Sequence, residues 1–293
     1  MFISRREGLH RLGEPWGKPA GVGGSPRETI EELFGPVRFT RLYFGQEFCE
    51  RAMPGKQDML EAIGECERKK IAFTMVTPYV TENGLAGLEE LLGQLAGVQP
   101  GCEVVVNDWG VLYMLREKFP TFRPVAGRLL NKILRDPRMN YHLSRQGSAG
   151  QMKMFRGCSF SSRHMKNLLG IESVDRVDLD NYFQGLDEDL PNWGFGLSLY
   201  VPFGCIATGR ICLFSSWGQK KNHKFRTSGY QCSRQCRRYR LELSSREYPS
   251  ENYRVFVKGN TVFYEQTGAF LAGGLAAARK QGVSRIVYHP EPL

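Results

Sequence analysis

The stretch KKIAFTMVTPYVTENGLAGLEELLGQLAGVQPGCEVVVNDWGVLYMLREKFPTFRPVA, residues 69–126, alternates strand-like and helical segments. Ile71–Val76 and Cys102–Asn107 are short apolar runs rich in β-branched residues, and Arg123–Ala126 is a shorter run of the same kind. Between them, Thr81 offers a hydroxyl to cap a helix over Gly84–Leu95, and Gly110–Lys118 carries apolar residues at helical spacing. Strands joined in this way by helices predict βαβ units and a parallel sheet.

The pattern extends in both directions. Upstream, a β-type run over Val37–Phe44 precedes a helical pattern over Lys56–Lys69. Residues 1–32 mix basic residues with Gly and Pro and show no sustained period, so they are expected to be a loosely ordered lead-in to a domain spanning 33–293. Downstream of Ala126 come a helix-like segment and a polar stretch, Asp136–Gly150, that reads as an insertion or mobile loop. Further units are expected from a strand at Met154–Phe155 with a helix at Ser161–Leu169, a strand at Arg176–Val177 with a helix at Asp180–Gln184, and a strand at Gly196–Pro202. So many alternations suit a (β/α) barrel, complete, incomplete or distorted, better than a doubly wound sheet, because no G-x-G-x-x-G turn follows the first strand. The end of the chain differs. Tyr239–Leu243, Tyr253–Val257 and Thr261–Tyr264 are short β-like runs, the last two forming a hairpin about Lys258-Gly259-Asn260. A helix over Gly268–Gln281 and a strand over Arg285–Tyr288 return to the α/β style and complete the barrel.

At 293 residues and 41% hydrophobic, the chain can build a sizeable core. No run approaches the roughly 18 to 20 apolar residues of a transmembrane helix, and the first residues lack the apolar centre of a secretory signal, so a cytoplasmic location is expected. A formal charge of +10 favours an anionic partner, RNA among the candidates, without choosing one. Eight cysteines are too dilute for a disulfide scaffold and call for metal binding or burial.

Four of the eight lie between positions 205 and 236, in PFGCIATGRICLFSSWGQKKNHKFRTSGYQCSRQC. The C-x3-C pair Cys232 and Cys236 can aim two thiolates at one centre, and Cys212 follows a strand-like run. Arg210, Lys220, Lys221, Lys224, Arg226, Arg234, Arg237 and Arg238 surround them, favouring thiolates and offsetting the negative charge of a thiolate-ligated cluster. Spacing by itself leaves an iron–sulfur cluster, zinc and unrelated thiols open; structural zinc sites usually pair two C-x2–4-C units, and only one such pair is present. Cys66, Cys102 and Cys158 read as ordinary buried thiols.

The run PFGCIATGRICLFSSW, with the basic loop and C-x3-C behind it, resembles the cluster-binding segment of the U-thirty-two peptidase family, the collagenase-like proteases, and within it the UbiV-type branch of anaerobic ubiquinone-biosynthesis proteins. YFGQEFCERAM at 43–53, KKIAFTMVT at 69–77, NDWGVLYMLRE from Asn107 and RPVAGRLLN from Arg123 extend the likeness over roughly residues 37–240. The resemblance implies a barrel-like fold and a [4Fe-4S] cluster on Cys49, Cys212, Cys232 and Cys236, with Cys205 as an alternative ligand because it holds the first position of the C-x6-C pair of UbiU-type members. It also implies oxygen-independent hydroxylation of a ubiquinone precursor, an aromatic substrate, in a heterodimer with a UbiU-like partner. Another branch of the family supports hydroxylation of tRNA or rRNA, and a cluster protein that only senses redox state or stabilises a partner is a third reading.

Asn107 and Asp108 end one expected strand, and Arg128 and Asn131 follow another, so all four could line a substrate pocket at the barrel mouth. Asp108 is equally suited to capping the helix that follows. None of the five histidines belongs to an H-x-x-x-H or H-E-x-x-H pattern and there is no G-x-S-x-G elbow, so an active peptidase is not expected; the role that the resemblance implies in its place, if the chain is enzymatic, is that of an oxygen-independent hydroxylase subunit.

Overall fold

Along each central strand, successive side chains fall alternately into two different cores. Strands β1 (Phe2–Ile3), β2 (Arg41–Gly45), β3 (Ala72–Val76), β4 (Glu103–Val106), β5 (Arg123–Ala126), β6 (Arg176–Asp180) and β7 (Gly196–Val201), with β12 (Arg285–Tyr288), are all parallel and lie in the order β1-β2-β3-β4-β5-β6-β7-β12. Phe2, Tyr43, Val76, Val105, Val125, Tyr200 and Val287 form an inner core. Their sequence neighbours Ile3, Leu42, Phe44, Met75, Val104, Val106, Ala126, Leu199, Val201 and Tyr288 belong to a second core beneath the helices. This alternation, with one face turned inward and one outward, is that of a barrel. The computed structural model describes residues 1–13, 16, 25–139, 147–221, 224–225, 232–247 and 253–292.

The barrel is closed except at one seam, between the end strands β1 and β12. Side chains bridge what the backbone leaves open: Phe2 stacks on His289, just past β12, at 4.2 Å between ring centroids. Across the interior, Arg285 of β12 donates to the Tyr43 hydroxyl at 2.6 Å and to both oxygens of Glu103 at 2.7 and 3.1 Å. Burial by itself would push the Glu103 carboxyl up, but Arg285 and Arg41 outweigh it and hold it below its ordinary value.

The helices follow from apolar spacing and caps. In α2 (Lys56–Lys69), Met59, Ala62, Ile63 and Cys66 make the buried stripe. In α3 (Glu82–Val98), the Thr81 hydroxyl accepts from the Gly84 amide, and Leu88, Leu91, Leu92 and Leu95 face the core. Helix α4 (Trp109–Lys118) is capped by Asp108. Among the described residues no helix is long and apolar enough to cross a membrane.

Several expectations need correction. Residues 1–32 are not merely a lead-in: Met1–Ile3 are buried and supply β1, a 3-10 segment follows over Arg6–Leu12, and α1 (Pro26–Phe34) is fastened by a capping box between Ser25 and Glu28. The S-x-x-E signal was present in the sequence, but a two-residue strand is too short to announce itself. Met154–Phe155 lies in a helix, α5 (Ala149–Arg156), whose start is capped by Ser148 and Gln151. The helix expected at Asp180–Gln184 is absent; Asp180 instead ends β6, and Asn181 donates to Gln266 and to the Phe270 carbonyl. Of the segment expected as an insertion, 140–146 lies outside the described residues. Helix α6 (Arg163–Ile171) follows α5, and α7 (Gly268–Lys280) precedes β12.

The expected hairpin, β10 (Tyr253–Lys258) and β11 (Thr261–Gln266), is part of a four-stranded antiparallel sheet. Strand β8 (Phe203–Thr208), which the sequence pattern did not reveal, pairs with β11, and β9 (Leu241–Leu243) pairs with β10 at the outer edge.

Asp178 is fully buried inside the barrel, where the Tyr200 hydroxyl donates to it at 2.9 Å. Burial pushes its carboxyl up from 3.8 to about 7. The folded chain therefore holds a proton there that the unfolded chain has lost, so the contribution of this group to stability is full below about pH 4 and is lost as the pH rises through about 7. Asp178→Asn, which mimics the protonated form, is expected to raise the unfolding temperature above that of the wild type at pH 8 and to match it near pH 4. Thermal unfolding at the two pH values checks this; equal effects at both would contradict it.

Candidate metal centre

Past the C-terminal end of β2, the chain must turn sharply to bring Cys49 over the barrel. Gly45 makes this turn with φ +135°, so close to β3 that a Cβ would lie 2.1 Å from the Val76 carbonyl oxygen. Gln46 then reaches the Ser4 carbonyl, Glu47 is buried under the mouth, and Phe48 enters a small core with Phe203, Cys205, Phe256 and Phe263. Cys49 emerges next, half-buried, and the backbone of Arg51 and Ala52 hydrogen-bonds its sulfur.

Cys212, Cys232 and Cys236 come to the same place from beyond β8. Cys212 precedes a 3-10 turn at Phe214–Ser216, and its sulfur accepts from the Ser215 amide at 3.4 Å. Between Cys232 and Cys236, Arg234 adopts a left-handed conformation (φ 52°) that folds the C-x3-C segment back on itself, and its amide donates to the Cys232 sulfur at 3.4 Å. All four cysteines line one cavity of about 190 Å³. They lie close enough to act on one another: burial first, then the Cys236 and Cys212 thiols, push Cys49 up to about 11. Burial followed by Cys212 and Cys232 raises Cys236.

The surroundings suit an anionic centre. Among the described residues, Arg5, Arg51, Arg210, Arg234 and Arg237 line the cavity with a single carboxylate, Glu50, which is engaged by the Thr81 amide at 2.7 Å and the Thr81 hydroxyl at 3.0 Å. Burial and neighbouring thiols oppose ionisation of Cys49 and Cys236, so a cationic core is needed if both are to be thiolates. Among the described residues, no three of His, Cys, Asp and Glu converge closely enough to hold one metal ion. A single tetrahedral zinc would need its sulfurs about 2.3 Å from one point, whereas a [4Fe-4S] cluster takes one sulfur at each of four separated irons. Four thiols on one cavity are the number of donors that a [4Fe-4S] cluster takes.

Cys205 lies elsewhere. It is a buried β8 residue facing Phe263, and burial pushes its thiol up to about 12. It borders a second cavity, of about 440 Å³, that shares Tyr79 and Arg210 with the first. Asn107 and Asn131 line this second cavity, but as braced side chains. Asn107 donates to the Thr77 carbonyl at 2.9 Å and accepts from the Leu129 amide at 3.2 Å, and Asn131 donates to the Tyr182 hydroxyl at 3.0 Å.

Asp108 and Arg128 line neither cavity. Asp108 is the cap of α4, accepting from the Gly110, Val111 and Val80 amides. Arg128 is wholly buried and saturated: it grips both Glu47 oxygens at 2.9 and 2.6 Å, Asp180 at 2.5 Å and the Phe203 carbonyl at 2.8 Å. It ties Glu47, Asp180 and the start of β8 together within the barrel mouth.

Sequence reasoning passed over Tyr79, Glu50 and Asn260. Tyr79 lies just past the C-terminal end of β3, the position in a barrel strand where functional groups collect, so its place was a usable signal. Asn260 read as a hairpin turn residue, yet its amide reaches the Phe48 carbonyl at 2.5 Å, the Gly209 carbonyl at 2.8 Å and the Tyr79 hydroxyl at 2.9 Å, tying the three cavity-forming segments together. No local pattern announces that role. Compared with protein-family models, with curated proteins and with solved structures, the chain matches none of them.

Replacing Arg128 by Met is expected to cost about 3 to 5 kcal/mol in urea unfolding, because it leaves Glu47 and part of Asp180 buried without their counter-charge. A loss under about 1 kcal/mol would show that the network does not anchor the mouth.

Proposed function

We propose that this chain holds a [4Fe-4S] cluster on Cys49, Cys212, Cys232 and Cys236 and, as a cytoplasmic protein paired with a UbiU-like partner, supports oxygen-independent hydroxylation of an aromatic quinone precursor. The observation that carries the reading is the meeting of four thiols, from segments far apart in the chain, around one guanidinium-lined cavity. When bound, such a cluster supplies one-electron chemistry.

The chain's own residues support the rest of the reading. The adjoining cavity has the size of a small-molecule site, about 300 to 1,000 Å³. Leu129, Ile133, Ile206 and Ala207 give it apolar walls, and Asn107 and Asn131 give it amides. Tyr79 stands between the two cavities, its hydroxyl held by Asn260 and beside Thr208, with burial raising its pKa above the ordinary phenol value. It can hold a proton and a hydrogen bond at the boundary between substrate and cluster. A second reading, RNA hydroxylation, draws on the charge of +10 and predicts copurified RNA in place of copurified quinone or lipid.

Iron and acid-labile sulfide, measured with the absorption spectrum after strictly anaerobic purification, test the ligand set. About four irons per chain and a broad band near roughly 400 nm are expected in the wild type and in Cys205→Ala. Both are expected to be lost in Cys49→Ala and Cys212→Ala. Zinc in the wild type, or loss of the cluster in Cys205→Ala with retention in Cys49→Ala, would overturn the assignment.

A further inference from the structure

The segments that carry Cys212 and Cys236 also carry an unusual amount of exposed apolar surface. Ile211 and Trp217 are 51% and 60% exposed, and Tyr239 and Leu241 are each 48% exposed. These residues form one surface, since the Trp217 and Tyr239 rings meet at 5.3 Å and the two 3-10 turns beside Cys212 and Cys236 touch. The surface continues into β9, whose three residues are all exposed at the free edge of the four-stranded sheet.

Positive charge surrounds it. Lys220, Lys221, Lys224 and Arg238 are exposed, and no carboxylate comes within ion-pair distance of them among the described residues. The carboxylates at its border, Glu242 and Glu7, are paired with Arg240 and Arg237, so the excess charge is positive. An apolar centre containing Trp and Tyr with a mainly basic rim is the composition of a protein-docking surface whose partner is acidic. Ile211 and Leu213 flank Cys212 directly, so whatever sits here lies against a thiol of the metal centre.

We propose that this face docks an acidic one-electron carrier protein of the ferredoxin or flavodoxin kind, which exchanges electrons with the centre through the Cys212 and Cys236 segments. The inference rests on the cluster reading above. In the exchange the reduced centre of the carrier loses one electron and the cluster of this chain gains it; no bond is made or broken and no proton moves. The exposed aromatic and apolar side chains supply contact, and the lysines and arginines supply steering and orientation. A single-stranded RNA would also seek positive charge. Trp217 and Tyr239 could stack on bases, but the exposed edge strand beside them offers RNA two leucines and the carboxylate of Glu242 in place of positive charge, and favours a protein.

The test uses anaerobically purified, cluster-loaded protein and a plant-type [2Fe-2S] ferredoxin as the acidic carrier. Calorimetry gives the affinity of the oxidised pair, and stopped-flow absorbance gives the rate at which pre-reduced, desalted ferredoxin bleaches the cluster band. In a variant combining Lys220→Glu, Lys221→Glu and Lys224→Glu, both affinity and rate are expected to fall at least about tenfold at low salt, and in the wild type both should fall as salt is raised. Iron, sulfide and reduction by dithionite should stay as in the wild type. A Trp217→Ala variant should weaken affinity with little change in salt dependence. Protein without iron or sulfide would defeat the cluster reading itself. Loaded protein that ferredoxin neither binds nor reduces, or does so without sensitivity to salt or to charge reversal, would overturn the docking proposal. So would charge reversal that abolishes binding of a single-stranded RNA while leaving ferredoxin binding unchanged, which would assign the face to nucleic acid.

Discussion

Four charges at the mouth of the barrel, Glu47, Arg128, Asp180 and Arg135, hold the arrangement together. Two are positive and two negative. Arg128 takes both oxygens of Glu47 and one of Asp180, while Arg135 takes the other Asp180 oxygen and donates to the carbonyls of Cys205 at 2.9 Å and Arg128 at 2.6 Å. Burial by itself would lower the Arg128 pKa, but the two carboxylates outweigh it and hold the guanidinium well above its ordinary value. The Tyr200 ring lies 4.2 Å from the same guanidinium and adds a cation–π contact. A buried network of this kind contributes less to net stability than to uniqueness, because any other packing would leave a charge unpaired.

What the network joins is the substance of the site. Glu47 is two residues before Cys49, Asp180 ends β6, and the Phe203 and Cys205 carbonyls belong to β8, the strand that leads to Cys212. Arg128 therefore holds both the segment that presents the first cysteine and the strand that leads to the second, and Arg135 adds a second tie to that strand. Cys232 and Cys236 are held by a lighter means: the left-handed turn at Arg234, whose guanidinium also donates to the Arg51 carbonyl at 3.1 Å. One side of the cavity is thus built on the barrel, and the other on the partly exposed segment that carries Cys232 and Cys236.

Much of the barrel was legible from pattern. Lys56–Lys69 and Arg123–Ala126 fell where apolar periodicity put them, because their inward faces are uniform. Elements failed where local and tertiary preferences disagree. Asp180–Gln184 has helix-compatible residues, but Asp180 is drawn into the interior by two arginines and Asn181 by Gln266. Phe203–Thr208 follows β7 with only Pro202 between, so pattern alone could not show that it leaves the barrel to join a second sheet.

By itself, the sequence determined the α/β alternation, the barrel class, the basic balance and the clustering of Cys212, Cys232 and Cys236, since each depends on residue type and short spacing. Only the tertiary structure decided that Cys49 lines the cavity of those three while Cys205 does not. It also decided that Arg128 braces the mouth, and that Phe2 stacks on His289 across the open seam of the barrel. These outcomes depend on which distant segments share one volume. They are set by a charge balance and by close backbone approaches, such as Gly45 against Val76, that no local pattern of residues records.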